Sequence, residues 1–219
     1  MNKMHRYFLF CGIPALLFYV VSLTLLTQSG FTLIEILRDT AQSTGQSSFL
    51  GFLSNIGVWF WVAAGAICLA RALSFERGGD DRLRRLLFLV GGFSLVLAAD
   101  DFFLIHDRYI AEGIVVPLYA IFLWRLLSKH RQAIFAVNGA AFVGAGALLG
   151  MSVGIDAVQE VIGIPYAVNQ VIEEGMKFLG AATWLYFCYE AAALRERIAA
   201  PAMEDPVPPI VDSFAQPGE

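Results

Sequence analysis

Charge is what this sequence has least of. Only 16% of its 219 residues are Asp, Glu, Lys or Arg, against 58% hydrophobic residues and a mean hydropathy of +0.64. No soluble core needs that much apolar material, so the composition predicts a polytopic membrane protein. Cysteine is scarce too: Cys11, Cys68 and Cys188 all fall inside apolar segments without C-x-x-C spacing. That argues against a disulfide framework or a thiolate metal site and leaves them as packing residues. Proline is nearly absent from the apolar region, since five of the eight lie between Pro201 and the last residue. The domain division expected is therefore a transmembrane domain over 1–198 and a disordered cytoplasmic tail over 199–219. The net charge of −4 brings no basic tract with it, and no nucleic-acid partner is expected.

What is there is a series of long apolar runs. Six are long enough to cross a bilayer, at 7–27, 49–73, 86–106, 110–127, 133–154 and 168–190. The predicted fold class is an all-α membrane bundle of six transmembrane helices. The start, with Lys3 and Arg6 before apolar residues, has the outline of a secretory signal. Its apolar run exceeds a usual signal core and no A-x-A site follows, so it reads as an uncleaved first span. Twelve of the 15 Lys and Arg residues then fall on one side, with Arg38 and Arg108 opposite and Lys177 within a span. Basic residues near span ends favour the cytoplasm, which puts both termini there. The expected setting is the inner, cytoplasmic membrane of a bacterium, crossed several times, with the lipid bilayer as the first partner.

The connection 28–48 places Leu33, Ile34 and Leu37 against Glu35, Arg38 and Asp39 in helical period, as an interfacial helix or lid would. An ordinary extracytoplasmic loop, flexible over 43–48, is the plainer expectation. In the fifth run Gly146, Gly150 and Gly154 form a small-xxx-small stripe, expected to let neighbouring helices approach. That helix is expected to run on to Ile162 with Gly163 as its stop, carrying Asp156, Gln159 and Glu160 above Ser152. Trp59, Trp61, Trp124 and Trp184 read as packing residues and interface anchors. Asn138 and Thr183 give no signal beyond helix packing.

Against this apolar background the sixth run holds Asn169, Gln170, Glu173, Glu174 and Lys177. Charge within a span is costly and marks function first. At 100° per residue these five side chains share one face, with Asn169 about 40° to one side of Glu173 and Glu174 about 100° to the other. The third run ends in Asp100-Asp101-Phe102-Phe103-Leu104-Ile105-His106-Asp107. Asp100 and Asp107 share a face, and His106 joins them only if the helix ends or unwinds beside it. Ser54 and Asn55 fall at the same depth, whereas Asp107, Arg108 and Glu112 read as a solvated turn.

So many carboxylates cannot all ionise in a low-dielectric site. They must share protons, pair with Lys177 or bind a cation. The predicted catalytic residues are Glu173, Glu174, Lys177, Asp100 and Asp101. The predicted metal ligands are Asp100, Asp101, His106, Glu173 and Glu174, a hard donor set suited to a divalent Mg, Ca, Mn or Fe ion. No Glu-x-x-His pair suggests a di-iron bundle. A three-His zinc site within the membrane is excluded, because His5 and His130 belong to the cytoplasmic ends. The plain alternative is structural: Glu173 and Lys177 as an i,i+4 pair, neutralised against Asp100 or Asp101 as interhelical glue.

Glu173-Glu174-Gly175-Met176-Lys177 resembles the E-E-x-x-K motif of the PrsW-type intramembrane protease family, in which paired glutamates are implicated in peptide hydrolysis. The resemblance implies that Glu173 or Glu174 is the base that activates water, with Lys177 as electrostatic partner. It covers five residues of 219. In that family F-x-x-x-E and H-x-x-x-D motifs follow on later spans, whereas here His106 and Asp107 come earlier. The alkaline ceramidase-like hydrolases share a membrane-embedded polar site but use several histidines that this sequence lacks. As a whole the chain resembles an uncharacterised bacterial polytopic membrane protein family. The expected function is a membrane-embedded hydrolase of lipid or peptide, metal-assisted in one version. A proton- or cation-coupled transporter or channel is the main alternative, and a non-catalytic membrane subunit the third.

Overall fold

A computed structural model describes residues 5, 8–38, 40–74, 81–162 and 165–199, all helical or in short connections. Of the tail expected over 199–219 only residue 199 is among these, and the Gly163 stop lies outside the described residues. The chain divides into two compact units, residues 1–52 and 53–219. Among the described residues three helices are long and apolar enough to cross a membrane: Phe52–Leu73, Asp81–Phe103 and Glu112–Ala157.

In the first unit a π-helical turn, Phe8–Gly12, leads into α1, Ile13–Gln28, a shorter apolar helix with Pro14 in its first turn. There the missing proline N–H is no loss. The connection that follows is more ordered than a plain loop. Two short helices form, α2 (Leu33–Leu37) and α3 (Thr40–Thr44). The cause is Thr32-x-x-Glu35, a capping box. The Glu35 carboxylate accepts from the Thr32 N–H at 2.8 Å, and the Thr32 hydroxyl accepts from the Glu35 N–H at 3.3 Å. The Thr32 N–H, and after it the Thr32 hydroxyl, which also donates to Glu35 Oε2 at 2.8 Å, hold the Glu35 carboxyl below its ordinary value. Leu33, Ile34 and Leu37 are all exposed, the pattern of an interfacial helix.

The second unit holds α4 (Phe52–Leu73), α5 (Asp81–Phe103), the single turn α6 (Ile105–Arg108), α7 (Glu112–Ile162) and α8 (Tyr166–Ala199). The 51 residues of α7 are interrupted at His130 (φ −114°, ψ 17°) and Asn138 (φ −166°, ψ 83°). Asn138, silent in the sequence, restarts the helix: its side-chain oxygen accepts from the Ala141 N–H at 3.0 Å, as an N-cap does. Thr183, by contrast, only bonds back to the Leu179 carbonyl of its own helix.

Close packing occurs at glycines other than the expected stripe. A Cβ on Gly65 of α4 would lie 3.2 Å from the Gly91 carbonyl oxygen of α5, and one on Gly180 of α8 would lie 2.8 Å from Leu149 Cγ of α7. Gly146, Gly150 and Gly154 have no such neighbour within 4 Å among the described residues. The core is aromatic. Phe93, Phe122, Phe142, Trp184 and Phe187 form linked ring contacts with centroids 4.6 to 6.0 Å apart, and Trp61 joins them through Trp184. Polar contacts cross it too: Cys68 Sγ donates to the Cys188 carbonyl at 3.8 Å. The Trp184 indole N–H donates to Ser94 Oγ at 2.8 Å, and that hydroxyl donates to the Val90 carbonyl at 2.8 Å. Cys68 and Cys188 are fully buried packing residues here, whereas Cys11 is exposed. Trp59 and Trp124 point outward with Leu118 and Leu179, an apolar exterior suited to lipid rather than water.

Candidate functional site

The polar cluster is organised by a break in the backbone. Helix α5 stops at Phe103 because Leu104 adopts a left-handed conformation, φ 53° and ψ 46°, the one non-glycine residue with positive φ among those described. For a branched side chain this costs about 1–2 kcal/mol, so something must hold it. The holder is Asp100. It is buried at 6% exposure, and its Oδ1 accepts the His106 backbone N–H at 3.0 Å. Its Oδ2 also lies 3.1 Å from His106 Nδ1, outside hydrogen-bonding geometry. The helix thus ends where the sequence required it to for His106 to join the carboxylates. His106 Nε2 then meets Asp107 Oδ1 at 3.4 Å. Asp107 and Arg108 are exposed, as expected of a turn, whereas Glu112 is half-buried.

Asp101 turns the other way and forms an ion pair with Lys177 of α8. Both side chains are largely withdrawn, at 8% and 28% exposure. The pair therefore counters one buried charge with another, joining α5 to α8. The five polar residues of α8 do not converge on one target. Asn169 is buried, while Glu173 accepts a hydrogen bond from Gln170 at 2.9 Å and is turned toward Asp156 and Glu112. Gln170, Glu174 and Lys177 instead face a cavity of about 350 Å³ between α4 and α8. Asp101 lies at its polar end with Ser54, and its walls are Leu53, Trp61, Val171, Phe178 and Ala181. Gly57 and Gly175 also line it, and a Cβ at either would meet nothing within 4 Å. Small residues keep this space open.

Beneath the cavity the bundle is shut. Trp61 and Ala181 form its floor, and below them come Trp184, Phe93 and Phe187, each under 8% exposed. The cavity, mostly apolar with its charged groups gathered among α4, α5 and α8, therefore occupies one end of the second unit. Tyr119 of α7 was absent from the sequence-based candidates, because a lone tyrosine in an apolar run carries no spacing signal. Its hydroxyl comes within electrostatic and hydrogen-bonding range of Asp100 and lies near Asp101. Ser152 is buried, and Asp156 is half-buried beside Glu173.

The expected metal ligands Asp100, Asp101, His106, Glu173 and Glu174 are not gathered into one donor set. No three His, Cys, Asp or Glu side chains converge on a common point among the described residues. The physical reason is pairing: Asp100 is taken up by His106, Asp101 by Lys177, and Glu173 by Gln170. These residues do not fit a bound divalent ion as arranged, and no step below passes through one. Of the five expected catalytic residues, Glu174, Lys177 and Asp101 share the cavity, while Asp100 and Glu173 stand outside its lining.

A family model described as a domain of unknown function, DUF8692, matches residues 10–191. The chain belongs to this family. The matched span takes in α1 through most of α8, so the break at Leu104, the Asp101–Lys177 pair and the cavity all lie within the DUF8692 domain. No curated protein and no solved structure matches the chain.

Proposed function

We propose that this DUF8692 protein is a membrane-embedded hydrolase whose substrate is an amphiphile, a lipid or a peptide, cleaved at Glu174 and Lys177. The observation that carries the reading is the cavity: apolar walls for a chain, a carboxylate and an ammonium at one end, and an aromatic floor that closes the way through. In this reading the Glu174 carboxylate takes a proton from water as its oxygen attacks the substrate carbonyl. Lys177, fixed by Asp101, stabilises the oxyanion, and the proton passes from Glu174 to the leaving group as the bond breaks. Asp100 and His106 act as positioning residues that shape the turn. Of the two glutamates implied by the PrsW-type resemblance, Glu174 is favoured because it lines the cavity, while Glu173 is held by Gln170.

The membrane topology that goes with it has six spans and both termini in the cytoplasm of a bacterial cell, in the inner membrane. Two features support it. One is the basic asymmetry of the sequence. The other is the length of α7: 51 residues would extend about 76 Å, more than twice a hydrocarbon core, and its interruptions divide it into two stretches of crossing length.

The test is turnover of acyl ester and phospholipid vesicle probes, and of a short apolar peptide, by purified protein in mixed micelles. Glu174→Gln should lower the rate about 100-fold or more with the fold intact, and Glu173→Gln should change it little. Equal loss in both variants, or full activity in Glu174→Gln, refutes the assignment. A coupled carrier is the second reading, favoured by the exchangeable Asp101–Lys177 and Asp100–His106 pairs. Proton uptake into proteoliposomes, abolished by Lys177→Met, would establish it instead.

A further inference from the structure

The cavity between α4 and α8 has a definite depth. Its polar level, marked by Ser54 and Glu174, and its floor, Trp61 and Ala181, are separated by seven residues on each helix, about 10 Å at 1.5 Å per residue. Lys177 belongs to the upper level although it stands lower on α8. Helical side chains lean toward the helix N-terminus, and its ammonium is paired with Asp101, close to the end of α5. Between the two levels the lining is carbon, from Gly57, Gly175 and Phe178. Gly57 is the telling residue. It is buried, yet a Cβ on it would meet nothing within 4 Å among the described residues, so the open space passes directly over it.

These dimensions choose between a peptide and a lipid. Helical walls spend their own N–H and C=O groups internally, so an extended peptide laid along them would leave its amides unpaired away from water. A helical peptide pairs its own amides. A helix about 10 Å wide over the same depth, however, fills about 800 Å³. That is more than twice the cavity of about 350 Å³. A hydrocarbon chain is slender and has no polar group to satisfy, and a cavity at the small end of the usual range of about 300–1,000 Å³ suits one chain. Half a hydrocarbon core is about 15 Å, so a chain of full leaflet length is longer than the space below the polar level. We propose that the substrate is an ester of a single medium-length acyl chain, its carbonyl between Glu174 and Lys177 and its chain passing over Gly57, which sets the length accepted above the Trp61 floor. The chemistry rests on the hydrolase reading. The oxygen of water bonds to the acyl carbon, the ester C–O bond breaks, Glu174 carries a water proton to the leaving oxygen, and the products are the fatty acid and the alcohol. The seating of the chain does not depend on that step.

The test uses the full chain in phosphatidylcholine nanodiscs and has two arms. In the first, a decyl ether with a diazirine at its chain end, which cannot be hydrolysed, is photolysed and its adducts are mapped by mass spectrometry. Labelling should concentrate at Trp61, Phe178 and Ala181. Equal labelling of the outward-facing Trp59 and Leu179, on the same two helices, would place the chain in the surrounding lipid and overturn the proposal. In the second, p-nitrophenyl hexanoate, decanoate and palmitate are compared with a short apolar peptide. Each buried methylene contributes about fourfold to kcat/KM, so decanoate should exceed hexanoate about 100-fold or more. Palmitate should gain nothing further. Gly57→Val adds three carbons to the path and should lower kcat/KM for decanoate about fifty-fold, with a much smaller loss for hexanoate. Gly146→Val, also in open space but on α7 outside the cavity, should leave the preference unchanged. If Gly57→Val fails to fold, Gly57→Ala takes its place and should shift the preference in the same direction. A palmitate rate well above that of decanoate, or an equal change in Gly146→Val, would overturn the assignment of Gly57. Peptide cleaved in preference to every ester would overturn the acyl substrate and leave the hydrolase reading standing. Labelling at the floor with no probe turned over would do the reverse.

Discussion

If Asp100 holds Leu104 in a strained conformation, the strain is measurable as a coupling between the two positions. Leu104→Ala keeps the left-handed penalty of about 1–2 kcal/mol, and Leu104→Gly abolishes it. Glycine costs about 0.5–1 kcal/mol in chain entropy, so in the native background the glycine variant should be the more stable by about 0.5–1 kcal/mol. Asp100→Ala removes the acceptor for the His106 N–H, an interaction with a charged group that contributes about 1.5–3 kcal/mol. The released turn relaxes, however, and recovers the strain, so the net loss should be only about 1 kcal/mol. In that background no strain remains for glycine to relieve. Leu104→Gly should then be less stable than Leu104→Ala by the entropy cost alone. The alanine-to-glycine difference therefore changes sign between backgrounds, with a coupling of about 1–2 kcal/mol. Comparing alanine with glycine also cancels the packing lost with the leucine side chain, which is 38% exposed. Reversible unfolding in mixed micelles, followed by tryptophan fluorescence, measures all four proteins. The same difference in both backgrounds, within about 0.3 kcal/mol, would show that Asp100 does not impose the turn and that the strain argument is wrong.

Lys177→Met should destabilise by about 2–3 kcal/mol, below the range for fully buried pairs because the lysine is 28% exposed, and adding Asp101→Asn should recover most of the loss in the same unfolding assay. Ser94→Ala strands the Trp184 indole N–H in a dry core and should cost about 1 kcal/mol, whereas Trp184→Phe leaves Ser94 satisfied by Val90; paired unfolding measurements and their double variant give the bond its own coupling. Glu35 has its carboxyl held low by Thr32, so the capping box is fully formed above the ordinary value of 4.5 and is lost as pH falls below it and through the lowered folded value. Amide exchange at Ile36 should accelerate over that window; Glu35→Gln should erase the pH dependence, and Thr32→Ala should only reduce it, because the residue-32 N–H still donates to the carboxylate.

The sequence was most readable where a single energetic term dominates. Long apolar runs at 49–73 and 86–106 could only be helices, and the structure has helices over 52–73 and 81–103, their ends shifted by up to five residues. The polar residues of α8 were visible because charge in an apolar run is rare. Their division was not visible. Helical angles put Glu173 and Glu174 on one face, yet 100° is enough to give one to Gln170 and the other to the cavity, and only the positions of α4 and α7 decide which. His106 shows the same limit from the other side. Its angle excluded it from the cluster as long as the helix continued, and the residue that ends the helix is a leucine, which has no preference for a left-handed turn. Tertiary capture by Asp100 overrides the local preference, and no window of sequence around Leu104 contains that information. Asn138 and Thr32 are different. Both follow ordinary capping chemistry and were legible in principle from an Asn before a restarted helix and from a T-x-x-E.

The placement of strain and packing bears on which kind of machine this is. Below Trp61 and Ala181 the core is buried, ring against ring, and the Trp184–Ser94 bond across it is satisfied at both ends. Above that level lie the left-handed Leu104, the Asp101–Lys177 ion pair, the close Asp100–His106 contact and glycines that leave space unfilled. A carrier that alternates its access must open the lower half as well, which would require parting the Trp184 cluster and breaking the Ser94 bond in each cycle. A hydrolase needs nothing to move below the floor. Stability concentrated in one half and costly features concentrated in the other is the distribution expected when a rigid base holds a preorganised site. On that argument Ser94→Ala, which loosens the base by about 1 kcal/mol, should leave turnover at Glu174 nearly unchanged but would accelerate a carrier limited by opening of the cluster. Transport and hydrolysis rates measured in this one variant separate the two readings, and a faster proton flux with unchanged or absent hydrolysis would refute the one proposed here.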